Sequence, residues 1–222
     1  MGRDLEPMPL FPLNAVLLPY QMLPLHIFEE RYRELVRDCL ENDRPFGVVL
    51  LREGSEVGDP DVVPYMVGTT ARIVQHEDLP DGRINLMAMG ERRFRVRKLD
   101  NSKPYLVGWV EPIVELEWDE SPNHSWLIGR AKNAFEGHLR SVFGGRDVNI
   151  SVTFTDDPVA LSFAIAGCVH LTVMEKQRLL EMTDTAERFR ELIPILETQS
   201  VDLLDFEAPD PLEEYAEYLS SN

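Results

Sequence analysis

The residue types that most often carry chemistry are present in this chain, but their spacing predicts neither a catalytic centre nor a metal site. The five histidines are scattered, with no H-x-x-x-H pair and no C-x-x-C motif beside them. A zinc site would have to be assembled from distant loops, so we expect no metal and no cofactor. Asp156-Asp157 could serve as a carboxylate pair for acid–base chemistry. Its position directly before Pro158 favours a helix N-cap instead.

Motifs for nucleotide hydrolysis and for peptide-bond hydrolysis are also missing from the sequence. The P-loop pattern G-x-x-x-x-G-K-[ST] does not occur, and the paired glycines Gly144-Gly145 are followed by Arg146-Asp147. Without the glycine spacing and the lysine, no phosphate cradle is predicted. None of the four lysines stands in a context typical of a Ser-Lys dyad. We therefore expect no catalytic residue and a protein that is not an enzyme.

A basic stretch from Arg92 to Lys98 contains five basic residues and one phenylalanine, which superficially suits RNA. The whole chain, however, has a net charge of −17 at pH 7. An acidic protein gains little from the release of counterions, so nucleic-acid binding is disfavoured. The favoured interpretation is a solvated strand face whose arginines pair with nearby carboxylates.

Negative charge is concentrated at the end of the chain, where nine carboxylates and no basic residue follow Arg190. Residues 200–222 are predicted to form an acidic tail. Three roles are open for it: a solubilising extension, a ligand for a basic groove on its own domain, or a docking segment for a partner.

The cellular compartment is predicted from the cysteines and from the distribution of apolar residues. Cys39 and Cys168 lie in apolar helical contexts, which predicts buried thiols in a reducing compartment. The sequence contains no apolar run of about 18 residues or more, and its beginning lacks the pattern of a signal peptide. We expect a cytoplasmic protein that does not span a membrane.

The first part of the chain has the patterns of strands with one early helix. Residues 8–27 are an apolar stretch interrupted by four prolines, which predicts two or three short strands. Apolar side chains spaced by three and four residues from Phe28 predict a helix that ends near Asn42. The remaining predictions are strands over 46–51, 67–76, 84–89 and 92–99, a hairpin turn at 80–82, and a strand pair within 105–116.

The pattern becomes helical from residue 119. Helices are predicted over 127–143, 158–168, 173–182 and 185–198, with capping boxes at Thr172–Glu175 and Asp184–Glu187. Pro194 should kink the last helix or end it early. The fold class is therefore α+β, with a β-rich subdomain at 1–118, an α-helical bundle at 119–199 and the acidic tail at 200–222.

The opening segment is the most specific pattern of the chain. Residues 9–13 (PLFPL) and 16–19 (VLLP) precede the run LPLHIFE at 23–29 and the pair Arg31-Tyr32. Val67-Gly68-Thr69, Asp81-Gly82-Arg83, Gly90 and Arg93-Phe94 follow in the same order as in a known family. Over residues 8–198 the sequence resembles the N-terminal, substrate-binding domain of Lon proteases. The resemblance implies a PUA-like β-barrel with one early helix, followed by an α-helical bundle.

Two positions depart from the pattern of that family. It often has glycine where this chain has Tyr20, and proline where this chain has Glu30. Glu30 suits the first turn of a helix, where a negative charge is favourable. A tyrosine is unfavourable where the backbone needs positive φ, so we expect the loop around Tyr20 to differ from the family.

The resemblance implies a non-catalytic recognition module that binds unfolded or exposed apolar polypeptide segments, or a partner protein, in proteolysis-related quality control. We expect a groove between the β-rich and helical halves to hold the ligand. The candidate binding residues are Phe11, Tyr20, Met22, Phe28, Arg31 and Arg93. Arg31 has two open roles, binding of a ligand carboxylate or a structural clamp between the helix and a barrel loop. The alternatives are a small-molecule sensor that uses the same groove and, less favoured, an RNA-binding protein.

Overall fold

The order of strands and helices confirms the α+β fold class. The structure is a computed structural model that describes residues 5–54, 62–143 and 152–202. The strands are β1 (Glu6–Leu13), β2 (Met22–Ile27), β3 (Phe46–Glu53), β4 (Val63–Asp78), β5 (Ile84–Asp100) and β6 (Val107–Pro112). The helices are α1 (Glu30–Glu41), α2 (Pro122–Phe143), α3 (Pro158–Cys168), α4 (Val173–Glu181) and α5 (Thr185–Asp202). The predicted tail beyond residue 202 and the loop at Gly144-Gly145 lie outside the described residues.

The chain divides into two compact units. The first contains Met1–Val114 and His170–Thr183, and the second contains Glu115–Val169 and Asp184–Asn222. Helix α4 therefore belongs with the strands, because its residues contact β4; the amide of Gln177, for example, donates to the carbonyl of Val67 at 3.2 Å. The predicted division had placed this helix in the helical part. The subdomain limits at 118 and 199 stay a prediction.

The PUA-like barrel of the first unit is part of a six-stranded sheet with the strand order β2-β5-β4-β3-β1-β6. Strand β6 pairs with both β1 and β5, so five of the strands close into a ring. The long strand β5 makes this closure possible, since its first half pairs with β2 and β4 and its second half with β6. Among the described residues β2 pairs only with β5 and forms an edge.

Helix α1 packs its apolar face against the barrel, as its residue spacing predicts. Tyr32, Leu35, Val36 and Cys39 on this face are buried. The ring of Phe11 from β1 stacks on the ring of Tyr32, with centroids 4.1 Å apart. Burial of this face stabilises the helix far more than its intrinsic propensity does.

Asp38 on the polar side of α1 is the centre of a hydrogen-bond network in the first unit. It accepts hydrogen bonds from Arg44 (2.5 Å), from Lys103 (3.0 Å) and from the hydroxyl of Tyr105. Burial by itself would raise the pKa of Asp38, but these hydrogen bonds outweigh burial and lower the pKa from 3.8 to about 2. The network links α1 to the segment between β5 and β6.

Replacing Asp38 by asparagine should destabilise the protein by about 2 kcal/mol at pH 7, because a lowered carboxylate pKa stabilises the folded state. The folded pKa is about 2 and the ordinary value is 3.8, so this contribution is complete above about pH 4 and declines as the pH falls through about 2. Urea unfolding at pH 7 and at pH 3 should therefore show a smaller difference between D38N and the unchanged protein at pH 3.

Asp78, exposed at the end of β4, supplies the control for this prediction. D78N should leave the free energy of unfolding within about 0.5 kcal/mol at both values of pH. A D38N effect that does not depend on pH would show that the network stabilises by geometry and not by charge.

The second unit contains α2, α3 and α5, with α5 in contact with both of the others. The predicted N-cap of α3 is confirmed, since Asp157 accepts a hydrogen bond from the amide of Val159 at 2.9 Å. Helix α5 continues through Pro194 to Asp202, so an early end at this proline is ruled out. Pro194 has no amide proton to donate to the carbonyl of Arg190, four residues earlier in the helix. Arg190 is exposed to solvent.

Two local predictions are wrong. Cys168, the last residue of α3, is exposed rather than buried. The segment within 105–116 forms one strand instead of a strand pair, and this strand ends at Pro112. In the part of the chain that the structure describes, none of the helices has both the length and the apolar character that crossing a membrane requires.

Candidate functional site

The candidate site is formed where the loop between β1 and β2 crosses the middle of β5. The amide of Tyr20 donates to the carbonyl of Gly90 (2.8 Å), and the amide of Gly90 donates to the carbonyl of Gln21 (2.9 Å). A side chain at position 90 would bring its Cβ within 2.5 Å of the carbonyl oxygen of Leu18. The loop can therefore lie directly on the strand only because residue 90 is glycine.

Tyr20 projects from this loop with a backbone conformation that is unfavourable for tyrosine. Its φ is 67°, and 53% of its surface is exposed. The left-handed region costs a residue other than glycine about 1 kcal/mol or more. The backbone at Tyr20 thus has the positive φ that suits glycine, and the hydrogen bonds to β5 hold it there. A large side chain is thus presented to solvent on a rigid support.

An open cleft of about 870 Å³ lies beside Tyr20 in the first unit. Its lining includes Met8, Arg72, Met89, Glu91 and Arg92. Met89 on β5 is the direct antiparallel partner of Met22 on β2, so their side chains share one face of the sheet. Met22 is 50% exposed and Met89 is 37% exposed. We call the exposed apolar surface formed by Tyr20, Met22 and Met89 the Tyr20 patch.

Most of the arginine side chains around the cleft are held by neighbouring residues. Arg72 donates from Nε to Glu91 at 2.6 Å, and this hydrogen bond is the main reason that the pKa of Arg72 is raised. Arg93 is buried and donates from Nη1 to the carbonyl oxygens of Leu180 and Met182, each at 2.5 Å. Arg93 thus fixes the end of α4 to β5, where it satisfies carbonyls that the helix leaves unpaired.

Arg92 differs from both of these arginines. It is exposed and lines the cleft, and its guanidinium has no hydrogen bond or ion pair with any residue that the structure describes. Its backbone amide is fixed, because it donates to the hydroxyl of Thr70 at 3.0 Å. The cleft therefore contains a cation that is available to a ligand.

The structure brings only part of the predicted site together. Tyr20 and Arg93 line the cleft, and Met22 is adjacent to it through Met89. Phe28 is 42% exposed but follows the opposite end of β2, about 20 Å along the strand from Met22. The remaining two residues are engaged elsewhere. Phe11 is buried against Tyr32, and Arg31 pairs with Glu29 at 3.0 Å.

No metal centre is apparent within the described ranges, where no three His, Cys, Asp or Glu side chains are arranged to hold a metal ion. His26 in β2 instead bonds Asn85 across the strand pair, with 2.6 Å between Nδ1 and Oδ1. The histidine therefore has a structural partner on the outer face of the sheet.

Residues 7–198 match the family model of the ATP-dependent protease La (LON) substrate-binding domain. The chain belongs to this family. The resemblance that the opening motifs indicate is thereby confirmed, and the match is to the substrate-binding domain of Lon, not to its ATPase or protease domain. The most specific Lon motif, LPLHIFE at 23–29, forms β2 and the entry into α1.

Curated Lon proteases resemble this chain over one part of their length. The Lon protease of Escherichia coli K12 is 30% identical over 203 residues, which are 90% of this chain and 25% of that protein. The Lon protease of Geobacter metallireducens is 30% identical over 193 residues, which are 83% of this chain and 23% of that protein. The chain thus spans about a quarter of the Lon proteases that it matches.

Two solved structures of Lon N-terminal domains have the same fold. The Lon N-terminal domain protein from Xanthomonas campestris superimposes with a TM-score of 0.63 at 30% identity, covering 85% of this chain and 98% of that one. The N-terminal domain of the Mycobacterium avium complex Lon protease gives a TM-score of 0.62 at 18% identity, covering 86% and 98%. The second likeness supports the fold alone.

Sequence reasoning missed Met89, Arg72 and the distinct position of Arg92 in this Lon-type domain. The signal for the first two is the hairpin turn at 80–82, which pairs β4 with β5 and brings Arg72 opposite Met89. Two register shifts in this strand pair, at 69–71 and 73–75, make the partners hard to count from the turn.

Proposed function

We propose that this member of the Lon substrate-binding domain family is a non-catalytic recognition module for exposed apolar segments of unfolded polypeptides. The observation that carries the proposal is the Tyr20 patch, where the exposed side chains of Met22 and Met89 lie on paired strands and the exposed Tyr20 lines the same cleft as Met89. Exposed apolar groups of this size are typical of interaction sites. Polypeptide substrates or a partner protein as ligands, and a cytoplasmic location, belong to the same proposal.

The side chains of the patch suit ligands of varied sequence. Methionine is unbranched and polarisable, so it adapts to apolar groups of different shape. Tyrosine adds a rigid apolar ring with a polar hydroxyl, and it loses little conformational entropy on binding. Because the backbone beneath Tyr20 is already held by Gly90, binding does not have to order the loop.

The other predicted site residues take different places in this proposal. Phe28 contacts only a ligand that extends along the whole of β2. Arg93 supports the cleft from beneath, because it is buried and engaged with carbonyls of α4. Phe11 and Arg31 are left out of the binding surface, since the first is part of the core and the second pairs with Glu29.

A small-molecule ligand is the second candidate, because the cleft volume of about 870 Å³ lies within the range of ligand clefts, roughly 300–1,000 Å³. Met22 is half exposed and lies outside the cleft lining. A ligand that contacts both Met22 and the cleft must therefore extend beyond the cleft, which favours a polypeptide. RNA is disfavoured by the state of the basic stretch. Arg93 is buried, and Arg97 is paired with Glu111 at 2.6 Å, so these two arginines are not available to phosphates.

The double variant Met22→Gln/Met89→Gln should bind unfolded polypeptide about thirtyfold more weakly than the unchanged protein, because each methionine contributes about 1 kcal/mol of apolar contact. Fluorescence anisotropy with labelled casein measures this difference. Met66→Gln is the matched control, since Met66 is 39% exposed and lies outside the cleft lining. This control should keep the affinity of the unchanged protein.

Tyr20→Gly separates binding from folding in the same assay. Glycine relieves the left-handed conformation at φ 67°, so the free energy of unfolding should stay the same or rise, while the affinity for casein falls. Equal affinities of the unchanged protein and the double variant would rule out the Tyr20 patch. A small molecule that raises the melting temperature, together with no polypeptide binding, would favour the second candidate.

A further inference from the structure

We propose that Arg92 makes this site selective for polypeptide segments in which an acidic side chain lies close to an apolar one. The inference rests on the proposed function, since it defines which polypeptides the Tyr20 patch prefers. The ligand of the cleft is then a side-chain carboxylate next to an aromatic or aliphatic group.

The availability of Arg92 is the first observation behind this proposal. Arg72 is held by Glu91 at 2.6 Å, Arg93 by two carbonyls at 2.5 Å, and Arg97 by Glu111 at 2.6 Å. The Arg92 guanidinium has no such partner in residues 5–54, 62–143 or 152–202. Since an arginine fork matches a carboxylate in two parallel hydrogen bonds, an incoming Asp or Glu is its natural ligand.

The backbone around Arg92 is fixed, so its free side chain is presented from a rigid position. The amide of Arg92 donates to Thr70 at 3.0 Å. Its two chain neighbours are also anchored, Glu91 by Arg72 and Arg93 by the end of α4. A ligand therefore has to order only the guanidinium and its stem, which limits the entropic cost of binding.

The charges of the cleft suit a single carboxylate and not a polyanion. Arg72, Arg92 and Arg93 line the cleft together with Glu6 and Glu91, which leaves one net positive charge. Arg72 and Glu91 already neutralise each other, and the Glu6 carboxylate repels additional negative charge. One acidic side chain is attracted to Arg92, whereas a run of phosphates would meet this repulsion.

The distance between Arg92 and the patch sets the spacing that the ligand requires. Arg92 follows Met89 by three residues on β5, which corresponds to about 10 Å along a strand. Tyr20 and Met89 line the same cleft as Arg92. An extended ligand can therefore engage both when its acidic residue lies within about three positions of its apolar residue.

Two labelled peptides that differ only by Glu or Gln beside a Phe-Leu pair test the inference by fluorescence anisotropy. The unchanged protein should bind the Glu peptide about threefold to fivefold more tightly at low salt, as an accessible ion pair allows. The preference should shrink at high salt because the pair is screened. R92Q should bind the two peptides with equal affinity, whereas R95Q, on the same strand but outside the cleft lining, should keep the preference.

Three outcomes distinguish the acidic selectivity, its assignment to Arg92 and the proposed function. Equal binding of the two peptides by the unchanged protein would overturn the acidic selectivity and leave the proposed function intact. A preference that survives in R92Q would overturn the assignment to Arg92. If the unchanged protein binds neither of the two peptides nor casein, the proposed function and this inference are both overturned.

Discussion

Replacing Arg188 by alanine is expected to lower the free energy of unfolding of the second unit by about 3–5 kcal/mol, because truncation removes the arginine that balances the charge of a partly buried carboxylate. Arg188 is fully buried, and it donates from Nη1 and Nη2 to one oxygen of Glu115 at 3.1 Å each. It also donates to the hydroxyls of Ser162 (3.0 Å) and Thr185 (2.7 Å). Its guanidinium lies over the ring of Phe163 at 4.3 Å. One side chain therefore connects α5, α3 and the segment before α2.

The unfavourable part of this network is desolvation, which lowers the pKa of Arg188, while the charge of Glu115 opposes that shift. Glu115 keeps 22% of its side chain exposed, so its carboxylate is only partly shielded from water. When Arg188 is removed, the loss comprises its packing, its hydrogen bonds and the uncompensated charge of Glu115.

Urea unfolding followed by circular dichroism measures the total loss, and hydrogen exchange should show that protection falls in α3 and α5. Arg190→Ala is the matched control, since Arg190 is exposed two residues further along the same helix, and its effect should stay within about 0.5 kcal/mol. Arg188→Met/Glu115→Gln should recover part of the loss, because it also removes the negative charge that Arg188 balances. Equal effects of R188A and R190A would contradict this account.

The elements that depend on local patterns were predictable from the sequence. The spacing of apolar residues placed α1 within two residues of its observed limits, and the Thr172–Glu175 capping box forms as expected at the start of α4. The pairing of distant segments is not encoded in this way. The parallel contact of β1 with β3 and the closure of the ring by β6 depend on residues far apart in the chain, and neither was predicted; the family resemblance implied only a PUA-like β-barrel.

The site was less predictable because neighbouring residues of one type have opposite fates. Arg92 and Arg93 are adjacent residues of the same type, yet the side chain of the first is exposed and that of the second is buried. A register shift between β4 and β5 at 69–71 interrupts the two-residue alternation, and Arg93 and Phe94 both become buried. A period of two read from the sequence places Arg93 with the exposed arginines, so no local pattern separates the free cation from the structural one.

Replacing Gly68 by alanine is the second change with a large expected effect. A Cβ at this position would overlap the carbonyl oxygen of Val48 and would lie 2.7 Å from Cγ1 of Val49 and 2.8 Å from the ring of Phe94. The carbonyl belongs to β3, where Val49 is the direct partner of Gly68, so it cannot move away without disturbing the β3–β4 pairing. We expect a loss of about 3 kcal/mol, at the upper end of the cost of overpacking a core.

A glycine-to-alanine change in α2 should raise the free energy of unfolding instead of lowering it. The comparison separates the effect of steric overlap from that of the residue type. A Cβ at Gly129 meets no atom within 4 Å, so Gly129→Ala should raise the free energy of unfolding by up to about 1 kcal/mol through helix propensity alone. Urea unfolding of the two single variants and of the double variant tests both signs. If G68A kept the stability of the unchanged protein, β3 and β4 would have to separate readily. The β3–β4 pairing would then be more adaptable than the contacts around Gly68 indicate.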